Sequence, residues 1–140
     1  MKVRWRRGSF RLRVGPSELE ALQRGEPVRE ELAFPGGASW TASIVPGDAP
    51  TTIGLQGNEA RVALSRDDVV RLAAPDVEGV YFESSDDARG LRFFIEKDFP
   101  CLHPRPPGAA EAPEETFDAP ADFASRHCRD DAGAKPRPRH

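Results

Sequence analysis

The chain has 140 residues, a formal net charge of -3 and 38% hydrophobic against 31% charged residues, the balance of one globular domain with a modest core. It contains no long apolar run and no basic-then-apolar leader, so the expectation is no membrane span, no secretion and a cytoplasmic address. Two cysteines are too few for a disulfide framework and are read as free thiols, and the mild acidity argues against a uniformly basic nucleic-acid binder.

At the N-terminus Val3 and Trp5 alternate with Arg4 and Arg6, and Phe10, Leu12 and Val14 alternate with Arg11 and Arg13, the period of strands with one buried face. That parity places Trp5 in the core, opposite the arginines. The apolar phase switches at Gly8-Ser9, which calls for a turn or bulge. Lys2, Arg4, Arg6, Arg7, Arg11 and Arg13 put six positive charges and no negative one into the first thirteen residues. A helix follows from about Glu18 to Arg24, with Ser17 as N-cap, Glu20 as its capping-box partner, Leu19 and Leu22 on one face and Gly25 as the stop.

Three strands are expected next, from Pro27 to Phe34, Ser39 to Val45 and Thr51 to Gln56, joined by Pro-Gly turns as a meander. A short strand from Ala60 to Leu64 leads into a second helix, capped by Ser65 through Asp68, with Val69, Leu72 and Ala73 as its buried stripe and Pro75 ending it. Val80 to Glu83 and Leu91 to Glu96 read as a closing hairpin.

These elements predict an α+β fold: an antiparallel sheet of about six or seven strands, open or barrel-like, with two short helices. At an offset of fifty residues Leu12 falls on Val62, Val14 on Leu64, Leu19 on Val69, Leu22 on Leu72, Leu32 on Phe82 and Ile44 on Phe94, a pseudo-two-fold strand-helix-strand-strand repeat. The folded domain is placed at residues 1–105. Residues 106–140 are proline-rich and charged, with Phe117 and Phe123 their only large apolar side chains, and are expected to form a disordered tail.

Two stretches carry a resemblance. Arg7-Gly8-Ser9-Phe10-Arg11-Leu12-Arg13-Val14, with Glu18 and Leu22 after it, and Gly90-Leu91-Arg92-Phe93-Phe94-Ile95-Glu96-Lys97-Asp98-Phe99-Pro100-Cys101-Leu102 resemble a family of small uncharacterised bacterial proteins, a domain of unknown function. The likeness spans most of residues 1–105 and implies no activity, substrate or cofactor. In such relatives the segment after the Cys-Leu step is acidic, as Glu111, Glu114, Glu115 and Asp118 are here. More loosely, Ala60-Arg61-Val62-Ala63-Leu64-Ser65 with its helix and hairpin is similar to the half-repeat of swapped-hairpin transcription regulators. That analogy implies a basic DNA-facing arm, yet the second half carries Asp67, Asp68, Asp86 and Asp87.

Four sets of side chains could carry chemistry. Glu96 and Asp98 lie two apart at a strand end, either as an acid-base or cation-holding pair or as solvated charges with basic partners. Cys101, His103, His127 and Cys128 together have the donors of a zinc site, though not the spacing of a zinc finger; singly, Cys101 is a small apolar group and His103 a surface residue. Cys101 with His103 or His127 is the nucleophile-base version of the same residues, without a recognisable third group or oxyanion loop. Arg4, Arg6, Arg11 and Arg13 form a cationic stripe suited to phosphate or an acidic peptide, or else a charged face that discourages edge pairing. The run from Glu111 to Asp118 could fold back over that stripe.

The functional expectation is a non-enzymatic binding or interaction module, bacterial and cytosolic, with an anion-facing first strand and a protein or anionic ligand as partner. No cofactor is expected. The alternatives are a zinc protein or Cys/His enzyme built on Cys101 and His103, and a nucleic-acid-binding regulator.

Overall fold

The structure is a computed structural model, and it describes residues 1–84, 90–100 and 115–123. Alternating residues form the strands β1 (Lys2–Arg6) and β2 (Ser9–Val14), joined at Arg7-Gly8, where Gly8 takes φ 68°, a left-handed conformation that glycine adopts without Cβ strain. The helix α1 (Pro16–Gln23) begins two residues earlier than the sequence implied: Gly15 is its N-cap, Pro16 opens it, and Glu18 Oε1 accepts the Gly15 N–H at 3.3 Å. Ser17 is therefore inside the first turn. Gly25, at φ 83°, stops the helix as expected.

Then come β3 (Val28–Ala33), β4 (Ser39–Gly47), β5 (Thr52–Gln56), β6 (Glu59–Ser65), α2 (Arg66–Ala73), β7 (Gly79–Ser84) and β8 (Leu91–Lys97). The cap of α2 is the one read from sequence. Ser65 Oγ accepts the Asp68 N–H at 3.1 Å and donates to Asp68 Oδ2 at 2.8 Å, while Thr51 Oγ1 donates to the same oxygen at 2.5 Å.

The strands do not make one antiparallel meander. They form two four-stranded mixed sheets, β1-β2-β8-β7 and β3-β4-β6-β5, and among the described residues neither closes into a barrel. The chain repeats as β-β-α-β-β, and each sheet takes one hairpin from each half, with the inner strands β2 and β8, and β4 and β6, running parallel. Parallel neighbours require long connections, and the helices with the intervening hairpins supply them. Leu12 faces Ile95 in one sheet as Val62 faces Ile44 in the other, so the repeat maps Ile44 onto Ile95 and not onto Phe94.

One core joins the halves. Leu12, Val14, Ile44, Val62, Leu64 and Ile95 from the inner strands are at most 1% exposed, and Leu19, Leu22, Val69 and Leu72 of the helices pack on them. Burial of that apolar surface is the main stabilising term. Residues 115–123 also touch this body beyond position 105: the Phe117 N–H donates to the Asp98 carbonyl at 2.8 Å, and Phe117 and Phe123 lie 6.2 and 5.0 Å from the Phe99 ring. No helix of the described residues is long and apolar enough to cross a membrane.

Candidate functional site

Strand parity sends Phe10, Leu12 and Val14 of β2, and Phe93 and Ile95 of β8, into the core, so the residues between them face outward together. Register then sets the outer face of the first sheet in rows. Arg4, Arg11, Phe94 and Tyr81 make one row, with Arg6, Ser9, Arg92 and Glu83 on one side of it and Lys2, Arg13 and Glu96 on the other.

A cleft of about 460 Å³ opens on this face, lined by Arg4, Arg6, Arg7, Arg11 and Arg92 with Ser9 and Phe94. Arg11 and Arg13 share one carboxylate: Glu96 Oε1 is 3.4 Å from Arg11 Nε and Glu96 Oε2 is 3.4 Å from Arg13 Nε. Arg11 Nε is buried and not aligned for a hydrogen bond, and its guanidinium lies over Phe94, 5.3 Å from the ring centroid. Among the described residues no hydrogen bond or ion pair reaches the guanidinium groups of Arg4, Arg6, Arg7 or Arg92. Five guanidinium groups therefore converge there, with Glu96 beside Arg11 and Glu83 across the strand from Arg92 as the neighbouring carboxylates on this face, a positive balance that favours an anion.

The second sheet provides an internal comparison. Arg61 takes the place of Arg11, flanked by Gly54 and Ser43 where the first sheet has Arg4 and Phe94. There Glu59, two residues before Arg61, stands where Ser9 does. Glu59 Oε1 accepts from Ser43 Oγ at 2.6 Å and lies 3.4 Å from Arg61 Nε. The Ser43 hydrogen bond first, and then Arg61, hold the Glu59 carboxyl below its usual value. Arg61 is thus neutralised locally by Glu59, with Arg29 of β3 across from Ser43 as the other arginine of that sheet, while the first sheet carries Ser9 at the Glu59 position and three further arginines, Arg4, Arg6 and Arg7, on β1 and its turn.

On the inner side, Trp5 is not in the core. It shares the face of Val3 but is 72% exposed, because β1 is an edge strand and none of the described residues covers its end. Between β1 and β3, the edges of the two sheets, lies a groove of about 620 Å³ lined by Val3, Trp5, Leu32, Phe34 and Trp40, with Glu30 and Glu31 on its β3 side.

The two carboxylates at the end of β8 have separate basic partners. Glu96 holds Arg11 and Arg13, while Asp98 is 4% exposed and its Oδ2 meets Lys2 Nζ at 2.8 Å. No group of three or more His, Cys, Asp or Glu side chains converges among the described residues. Between them, Lys97 turns inward and donates to the Ala74 carbonyl at 2.7 Å, capping the end of α2, with Phe117 beneath its ammonium at 5.6 Å. Burial pulls the Lys97 pKa down, and Asp76 opposes this in part.

Cys101, His103, His127 and Cys128, with Glu111 and Glu114, lie outside the described residues. Glu115 is described, and it accepts from Ser17 Oγ at 2.6 Å and from the Ser17 N–H at 3.4 Å, at the start of α1. This part of the acidic run thus engages a helix N-terminus, where a carboxylate is favoured. Arg7 and Arg92 are the arginines of the cleft that lie outside the stripe expected from the sequence, and Ser9 and Phe94 complete its lining. Arg7 was counted among the N-terminal charges, but Arg92 comes near only through the parallel pairing of β2 with β8, which sets it beside Ser9.

The fold and this face define a two-sheet α+β protein with a cationic surface on its first sheet. A family of unknown function, DUF7009, matches residues 1–121, and the chain belongs to it. No curated protein and no solved structure matches the chain.

Proposed function

We infer that the chain is a binding module that holds an anionic ligand on the outer face of its first sheet. The observation that carries this reading is the difference between two equivalent faces: Arg61 has Glu59 beside it, whereas Arg4, Arg6, Arg7 and Arg92 surround Ser9 with no ion pair among the described residues. Guanidinium groups present planar pairs of donors that match carboxylate or phosphate oxygens, and clustering them in a cleft raises the local potential even on a chain of net charge -3.

The test is a fluorescence-anisotropy titration with labelled polyglutamate and with a labelled single-stranded oligonucleotide, for the native chain and for the double variant Arg4→Glu/Arg6→Glu. Binding that weakens by about tenfold or more in the variant, and that falls with salt, supports the reading. Equal binding by the two proteins, or no binding of either polyanion, removes it.

A further inference from the structure

The cationic face ends at β1, a strand edge with no neighbouring strand on its outer side among the described residues. β1 closes the first sheet on one side, and among the described residues the backbone pairing of Val3, Arg4, Trp5 and Arg6 is with β2. Such an edge is a template for another strand, and proteins commonly blunt it with charge or cover it. Here one face of β1 carries the charge, Lys2, Arg4 and Arg6, and the other carries Val3 and Trp5 above an apolar groove. The groove leaves large apolar side chains in solvent: Trp5 is 72%, Leu32 57% and Phe34 48% exposed.

A strand laid along β1 would alternate between these two environments, because successive side chains of any strand point to opposite faces. Residues beside Val3 and Trp5 would enter the groove toward Leu32, Phe34 and Trp40 and should be apolar. Residues beside Arg4 and Arg6 would emerge on the arginine face and should be acidic. We propose that β1 takes an extended peptide of alternating acidic and apolar residues as a fifth strand of the first sheet, its backbone on the free edge, its apolar side chains in the β1–β3 groove and its carboxylates against Arg4 and Arg6.

This deepens the anionic-ligand reading and rests on it. Charge complementarity selects the occupant. A second copy adding through β1 would set arginines beside arginines, a repulsive arrangement. A single-stranded nucleic acid would satisfy the arginines but would leave the groove and the backbone edge unused. An acidic, apolar strand uses all three, the mode of recognition in which main-chain bonds give affinity and alternate side chains give specificity.

The experiment uses the full chain and four probes: a labelled seven-residue peptide alternating Glu and Val, a scrambled peptide of the same composition, the alternating peptide N-methylated at every second residue so that one backbone edge is blocked, and a single-stranded oligonucleotide. The alternating peptide is expected to bind about tenfold or more tightly than the scrambled one, to lose that advantage on N-methylation, and to weaken with Trp5→Ala and with Arg4→Glu/Arg6→Glu. Equal affinity of alternating and scrambled peptides, or no effect of N-methylation, overturns strand addition while leaving anion binding in place. Binding of the oligonucleotide with neither peptide bound does the same. If none of the probes binds, both readings fall. The N-methylated peptide keeps the test decisive should a variant fail to fold.

Discussion

Trp5 and Trp40 meet with ring centroids 5.9 Å apart and planes tilted by 43°, so the edge strand of one sheet touches an inner strand of the other where no strand pairing joins them. Trp40 in turn meets Phe10 edge-on at 6.1 Å. The contact leaves Trp5 largely in solvent at the junction of the apolar groove and the arginine face. A tryptophan held this way contributes little to the core and much to a surface.

The first prediction separates those two roles. Leu12→Ala and Ile95→Ala, at two residues with 0% exposure that face each other across β2 and β8, should each cost about 2–5 kcal/mol in denaturant unfolding. Trp5→Ala should cost less than about 1 kcal/mol. A loss for Trp5→Ala as large as that for Leu12→Ala would mean that the tryptophan is structural after all.

Ser9→Glu places in the first sheet the carboxylate that Glu59 supplies in the second. Anion binding measured by anisotropy should fall by about tenfold or more. Glu96→Gln should act in the opposite sense, because it releases Arg11 and Arg13 from their shared carboxylate. Its gain should be a few-fold at low salt and vanish toward 1 M, where the screening length is about 3 Å.

Acid should loosen the junction of β6 with α2. Burial on its own would raise the Asp68 carboxyl, but hydrogen bonds from Thr51, Ser65 and Arg71 outweigh it and hold the pKa below the ordinary 3.8. A carboxylate lowered in the folded state stabilises the protein fully above its unfolded pKa, and that stabilisation is lost as the pH falls through the lower folded value. Unfolding free energy should therefore be flat in this contribution above about pH 5 and decline below about pH 4. Asp68→Asn, which weakens the cap, should cost about 1 kcal/mol at neutral pH and make the acid decline shallower; equal slopes for the two proteins would contradict the assignment.

Ending the chain at residue 105 should destabilise it. Residues 115–123 supply Phe117, packed against the core and beneath Lys97, and Glu115, bonded to Ser17. We expect a loss of about 1–3 kcal/mol for the shortened chain and a similar loss for Phe117→Ala, read from thermal unfolding. Unchanged stability would make residue 105 the end of the folded body.

Much of this was written locally in the sequence. The strands followed from two-residue alternation and from Gly and Pro at their ends, which is why the observed spans lie close to those expected from Pro27 to Glu96. What alternation cannot give is the partner of each strand: the pairing of β2 with β8 joins residues that are far apart in the chain, and without it Arg92 has no visible link to Arg4 and Arg6. The repeat was legible for the β2-α1 and β6-α2 segments, yet a fixed offset put Leu32 on Phe82. The registers instead align Val28 with Val80, opposite Ile44 and Ile95, and Val28 lies five residues past the end of α1 whereas Val80 lies seven past the end of α2. Parity assigned Trp5 to the correct face but gave no depth, since an edge strand can run past the core it borders. For α1, Pro16 at the first helical position was the stronger start signal, and the Ser17 hydroxyl serves Glu115 instead.

The most direct test of the central claim is a two-dimensional 1H–15N NMR titration of the full chain with unlabelled polyglutamate at low salt. The account predicts that the amide shifts concentrate on Arg4, Arg6, Arg7, Ser9 and Arg92, reverse on adding salt, and leave the equivalent face around Glu59 and Arg61 unmoved. Shifts of equal size around Arg61, or shifts centred on Lys97 and Phe117 at the other end of the sheet, would contradict it.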